Sequence, residues 1–186
     1  MSTAALDGKR IAFLVANSGV EQVELTTPWQ AVEQAGGTPV LVAPDKGKVQ
    51  AFNQDVEPGD TFEATEAVSE VNSDAFDGLV LPGGTTNPDK LRTDDDAVHF
   101  VVGFAESGKP IAAICHGPWT LVEANLVRDK SLTSWPSLKT DIANAGGQWR
   151  DEECVVDRER FPLVTSRKPD DLDAFVEHAL AEFAGS

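Results

Sequence analysis

Short, unbroken apolar runs alternate along the chain with stretches in which apolar residues return every three or four positions. Residues 11–16, 40–43, 78–81 and 111–114 are runs of the first kind. Continuous hydrophobicity without polar alternation predicts strands covered on both faces, as in a parallel sheet. Between them the period changes. Leu25, Trp29 and Val32 predict a helix over 24–35, stopped by Gly36-Gly37. Ala97, Val98, Val101, Val102 and Ala105 predict another over 94–106, with three Asp at its positive end. A helix is expected to begin at Gly117 or Pro118, directly after the fourth strand, and a short one over 137–145, closed by Gly146-Gly147. Two strands, near 154–156 and 163–166, precede a last helix with Leu172, Phe175, Val176, Ala179, Leu180 and Phe183 on its stripe. Residues 45–72 are polar and rich in turn formers, and a hairpin around 48–52 is the regular structure expected there. The β-α alternation predicts an α/β, flavodoxin-like three-layer sandwich on a mostly parallel sheet. No repeat or linker divides the chain, so residues 1–186 read as a single domain.

Charge narrows the partners. Fifteen Lys and Arg stand against 31 Asp and Glu, a formal net charge of −16 in 186 residues. Such a field repels phosphate backbones and anionic lipid, so no nucleic-acid partner and no membrane docking are expected. No run approaches the roughly 20 apolar residues that span a bilayer. Residues 1–9 lack the basic-then-apolar order of a signal peptide, and Cys115 and Cys154 form no disulfide framework, so a cytoplasmic protein with free thiols is expected. His99, His116 and His178 show no ligand spacing; neither a metal nor an organic cofactor is expected.

Two features fall at the carboxyl ends of the predicted strands, where open parallel sheets collect ligands. One is Pro82-Gly83-Gly84; the other is Cys115-His116-Gly117-Pro118. A strand that enters a helix without a loop reverses sharply and projects the residue at the turn, so Cys115 has the mechanics of a nucleophile elbow. A thiol at a helix N-terminus is expected to favour thiolate. Backbone N–H groups of Gly83, Gly84 and His116 are candidates for an oxyanion hole, and His116 for the general base or acid. Cys154 lacks such a setting and reads as structural.

These residues resemble the ThiJ/PfpI superfamily, in its branch of PfpI-type intracellular proteases and general stress proteins. The likeness runs from Gly19-Val-Glu-Gln-Val-Glu-Leu25 through the Gly83-Gly84 turn, Pro88-Asp-Lys-Leu-Arg92 and the Cys115 elbow to Thr165-Ser-Arg-Lys-Pro-Asp-Asp-Leu172. It implies that Cys115 is the nucleophile and that Glu24 hydrogen-bonds its sulfur. It also implies that Asp89, supplied by a neighbouring subunit, orients His116, so that a dimer or hexamer completes the triad. Such a Glu24 must be protonated, since two adjacent anions would repel. Trp119 and Trp135 are expected to wall the pocket. Trp135 departs from the family, in which Tyr often precedes this Pro; an indole can donate but cannot accept or titrate.

The resemblance implies a stress-related, cysteine-dependent hydrolase or lyase of small reactive carbonyls, of the glyoxalase III or deglycase kind. Its substrates would be small aldehydes or glycated amines. Intracellular peptide hydrolysis uses the same residues but needs a groove that no insertion here builds. A non-enzymatic redox sensor or holdase would use the same thiol. A glutamine amidotransferase would need a downstream His-x-Glu, and the last third holds only His178, followed by Ala179 and Leu180.

Overall fold

The computed structural model describes residues 5–186; residues 1–4, where the segment read for a leader begins, lie outside the described part. In chain order the elements are β1 (Arg10–Leu14), β2 (Ser18–Glu21), α1 (Gln22–Gln34), β3 (Thr38–Ala43), β4 (Gly47–Asn53), β5 (Glu57–Ala64), β6 (Glu66–Ala67) and β7 (Gly78–Leu81). Then come α2 (Thr86–Leu91), α3 (Asp95–Glu106), β8 (Ile111–Ile114), α4 (Pro118–Glu123), β9 (Ser131–Leu132), α5 (Lys139–Asn144), β10 (Gln148–Trp149), β11 (Cys154–Asp157), β12 (Leu163–Ser166) and α6 (Leu172–Gly185).

Seven strands form the central sheet in the order β11-β12-β8-β7-β1-β3-β6. Every pairing is parallel except β11 with β12. The fold is therefore the expected α/β sandwich, and the apolar runs are its inner strands. Their side chains alternate between two cores. Ala12 and Leu14 join Phe100, Phe104 and Leu121 on the α3–α4 side, whereas Ile11, Phe13 and Val15 join Leu25, Phe175 and Phe183 on the α1–α6 side. Strand order reverses around β1, where the chain steps out to β3 and returns to β7, and the carboxyl ends of these strands border a crevice.

Helix ends follow local chemistry. Asp94 caps α3, its carboxylate accepting from the Ala97 N–H at 3.0 Å. Pro118 stands at the first position of α4, where its missing N–H costs nothing.

The stretch 45–72 holds far more order than one short hairpin. β2, β4 and β5 make a separate three-stranded sheet, with β4 and β5 antiparallel across a tight turn at Gln54-Asp55. Both turn residues have left-handed backbones, φ 53° and 65°. Neither is glycine, and the Glu21 carboxylate holds both, accepting from the Gln54 N–H at 3.1 Å and the Asp55 N–H at 3.3 Å. Helix α1 starts two residues earlier than its apolar stripe indicates, straight from β2.

Candidate active site

Only Cys115, His116 and Gly117 separate β8 from α4, so the reversal is forced on very few bonds. Cys115 absorbs it with φ 62°, a left-handed backbone costing a β-substituted residue roughly 1–3 kcal/mol. Gly117 is needed for close approach: a Cβ there would lie 2.5 Å from the Leu81 carbonyl and 2.9 Å from that of Ile114. The elbow is tied at both backbone groups. The Cys115 N–H donates to the Ser166 carbonyl at 3.0 Å, and its carbonyl accepts from the Trp135 N–H at 2.8 Å.

Around the sulfur stand an imidazole and a carboxyl. His116 Nδ1 lies 3.2 Å from Cys115 Sγ, and Nε2 faces Ser137 Oγ at 3.4 Å. The Trp135 indole stacks on the imidazole with centroids 5.7 Å apart and planes 22° apart. Glu24 reaches in from the first turn of α1 and is fully buried. Its Oε2 accepts from the Gly83 N–H at 2.8 Å, while Oε1 has no partner of ordinary hydrogen-bond geometry. Gly83 is wedged between them: a Cβ would sit 2.7 Å from Cys115 Cβ and collide with the Glu24 carboxyl. Pro28 lies four residues after Glu24 and has no N–H to return to its carbonyl, which loosens this first turn.

Burial sets the charges. It pushes Glu24 up to about 8, against the pull of the Gly83 N–H, and Glu21 and Asp55 add their repulsion. Burial also pushes the His116 imidazole down, with Asp55 pulling it partly back. For Cys115, burial raises the thiol first and a charged Glu24 would raise it further; the N–H groups of Gly84 and His116 pull towards thiolate without prevailing. Desolvation thus opposes the ionised thiol expected at a helix N-terminus: α4 spans only Pro118–Glu123, and the residue carrying the sulfur is 6% exposed. Burial therefore pushes all three groups toward their uncharged forms, and places the carboxyl proton on Glu24 near neutral pH.

The site opens into a cavity of about 320 Å³, lined by Cys115, His116, Glu24, Gly84 and Trp135 together with Glu21, Gln54, Asp55 and Pro169. Three expected site residues do not line it. The Gly83 N–H, expected in the oxyanion hole, is spent on Glu24 Oε2. Trp119 packs behind the imidazole, with ring centroids 5.3 Å apart, and donates to Asp141 at 2.8 Å. Asp89 is exposed on α2 and does not line the cavity. Sequence reasoning missed Glu21, Gln54 and Asp55, which arrive from the small sheet. It also missed Asn87, a buried amide that accepts from the Ala16 N–H at 2.7 Å and donates to the carbonyls of Pro82 and Gly83 at 3.0 and 3.1 Å. Asn87 thus pins the Gly83-Gly84 turn to the end of β1. Its burial behind a proline-containing turn leaves no local signal.

A cysteine on a strained strand-to-helix elbow, above the crevice of an open α/β sheet and backed by His and Glu, defines the class structurally. Comparison with known proteins is specific. Residues 9–182 match the model of the DJ-1/PfpI family, and the chain belongs to that family. Among curated relatives, Protein/nucleic acid deglycase 2 of Escherichia coli (strain K12) is 40% identical over 172 residues, covering 92% of this chain and 96% of the relative. General stress protein 18 of Bacillus subtilis (strain 168) is 39% identical over 176 residues, covering 94% and 97%. Among solved structures, Drosophila melanogaster DJ-1beta superposes with a TM-score of 0.82 at 27% identity, covering 96% of this chain and 91% of that one. The names of these relatives point to hydrolytic chemistry. Among the described residues no helix is long and apolar enough to cross a membrane.

Proposed function

We propose that the protein is a cofactor-independent hydrolase or lyase of small reactive carbonyls and of their early adducts on amines, with Cys115 as nucleophile. The observation that carries this reading is the meeting, at one small cavity, of a sulfur with an imidazole nitrogen at 3.2 Å and a buried carboxyl pushed up to about 8. With methylglyoxal, Sγ adds to the aldehyde carbon while its proton passes to His116 Nδ1. The protonated Glu24 and the N–H groups of Gly84 and His116 stabilise negative charge on sulfur as it forms. The carbonyl electron pair moves to oxygen, which takes up a proton, giving a hemithioacetal. Neutral His116 then removes the hydrogen on the former aldehyde carbon, and a proton returns to the neighbouring carbon, leaving a lactoyl thioester. Water cleaves the C–S bond to lactate and regenerates the thiol, so the balance is methylglyoxal plus water to lactate. An adduct on an amine enters the same sequence after expelling the amine.

Glu24 and Cys115 act as nucleophilic machinery within one chain. Asp89 is exposed on α2 and does not line this chain's cavity; its likeness to the family's orienting acid supports a dimer or hexamer in which it reaches a neighbouring subunit's His116. The cavity of about 320 Å³ admits a two- or three-carbon electrophile or its adduct on a side chain, which supports carbonyl chemistry over peptide hydrolysis. The deciding assay offers methylglyoxal, a glycated peptide and casein to the purified protein, with Cys115→Ala as control. Turnover of the first two, lost in the variant, is expected. Methylglyoxal turnover retained by Cys115→Ala would refute the mechanism, and cleavage of casein alone would favour the peptidase.

A further inference from the structure

The cavity over Cys115 has an acidic rim. Glu21 and Asp55 line it, and no Lys or Arg does. Neither acid is free to swing away. Glu21 is fixed by the N–H groups of Gln54 and Asp55, and Asp55 accepts from the Thr85 N–H at 2.7 Å and from Thr85 Oγ1 at 2.9 Å. Each anion is thus held by backbone or hydroxyl donors rather than neutralised by a cation, so its field enters the cavity. That field is felt at the reacting groups: Glu21 and Asp55 both act on Glu24, and Asp55 also acts on His116. Inside, the buried Glu24 carboxyl lies beside the Cys115 sulfur, its Oε1 without a close partner among the described residues, so the acidic rim stands directly before the reacting groups.

We propose that Glu21 and Asp55 are specificity-determining residues that exclude anionic carbonyls from Cys115. The substrate class is thereby restricted to uncharged 2-oxoaldehydes and their adducts on basic side chains. The substrate part rests on the function proposed above, whereas charge selection at the sulfur does not. Carbonyls bearing a carboxylate or phosphate must bring that charge past two fixed anions at the cavity mouth, at separations shorter than the screening length of physiological salt. A carbonyl adduct on an arginine or lysine side chain meets no such barrier.

The test uses the intact protein and two alkylating agents that differ in charge, iodoacetamide and iodoacetate, with modification of Cys115 followed by mass spectrometry. The ratio of the two rates is compared with that of N-acetylcysteine. A preference for the uncharged reagent roughly tenfold beyond that of the free thiol is expected. Asp55→Asn keeps an acceptor for the Thr85 N–H and removes the charge, and is expected to reduce the preference about threefold. Asp74→Asn, an exposed acid beside the opposite end of β7, controls for overall net charge and is expected to leave the ratio unchanged. A ratio equal to that of the free thiol, or one that Asp55→Asn leaves intact, overturns the proposal. An equal change in Asp74→Asn overturns it as well, because the effect would then belong to the whole surface. A second arm compares turnover of 4,5-dioxopentanoate with that of its methyl ester; the ester is expected to have the higher kcat/KM by a similar factor, and equal values overturn the substrate restriction. If neither compound nor methylglyoxal is turned over, the functional reading fails while the alkylation ratio still decides the role of the rim.

Discussion

Glu24 and Lys130 are the most deeply buried ionisable side chains among the described residues, and they are treated in opposite ways. Lys130, 1% exposed, donates to Asp157 at 2.9 Å, to the carbonyls of Glu159 and Phe161, and lies 4.2 Å from the Phe161 ring centroid. Burial pushes its ammonium down, but Asp157 pulls it back, and every donor has somewhere to go. Glu24, equally hidden, has one oxygen satisfied by Gly83 and the other, without a close partner, beside the Cys115 sulfur. A buried ion with a complete set of partners fastens the chain together, here joining β9 to the β11–β12 hairpin. A buried acid left incomplete is held in readiness, and the fold bears the cost.

The strongest way to break this contrast is to remove Glu24's proton-bearing group. Glu24→Leu is expected to lower kcat/KM for methylglyoxal by at least about a hundredfold while leaving the unfolding midpoint unchanged or higher. Glu24→Gln, which still donates a hydrogen bond, should raise the Cys115 pKa less than Glu24→Leu does; a pH titration of Cys115 alkylation giving the reverse order refutes the donor role. Lys130→Met should do the converse, costing about 1–3 kcal/mol in urea unfolding by taking a donor from Asp157 and from the carbonyls of Glu159 and Phe161, with activity per folded molecule within about twofold. Were Lys130→Met inactive yet stable, the division of labour drawn here would fail.

A third test exploits pH. Glu24 is pushed up from 4.5 to about 8 in the folded chain, so between those values the native state retains a proton that the unfolded chain has released. Its contribution therefore lowers stability as pH rises, by roughly 1.4 kcal/mol per pH unit, until it levels off near 8. The difference in unfolding free energy between Glu24→Gln and the unaltered protein should grow across that window, and a constant difference would sink the assignment. The smallest effect is expected at Cys154. It lies in a regular strand opposite Ser166, and burial raises its thiol to about 11, so Cys154→Ser should change turnover by less than about twofold.

What could be read in advance follows from how each segment is buried. The inner strands β1, β3, β7 and β8 are covered on both faces and therefore announce themselves as apolar runs. The small sheet does not. β5 reads Glu-Pro-Gly-Asp-Thr-Phe-Glu-Ala and is mostly exposed, and its composition is that of a turn; pairing with β4 holds it extended. Because that sheet was unreadable, so were Glu21 and Asp55, whose importance comes from where the turn lands. The Cys115 elbow was legible because its constraint is local: a strand, three residues, a proline. Glu24 had only its family likeness to mark it, since acids at helix starts ordinarily face water. The pull of burial on the thiol was not legible for a related reason. Dipole arguments can be made from sequence, but desolvation depends on everything packed around the sulfur.

The double tether of the elbow reaches beyond the chemistry. With its amide spent on Ser166 and its carbonyl on Trp135, Cys115 is knotted to the end of β12 and to the segment after β9, while Gly83 and Glu24 hem it in from the turn after β7 and from α1. Four separate stretches must all keep their places for one sulfur to stay aimed. Slippage in any of them disarms the protein long before its helices melt, so mild heating should extinguish catalysis several degrees below the loss of far-ultraviolet dichroism.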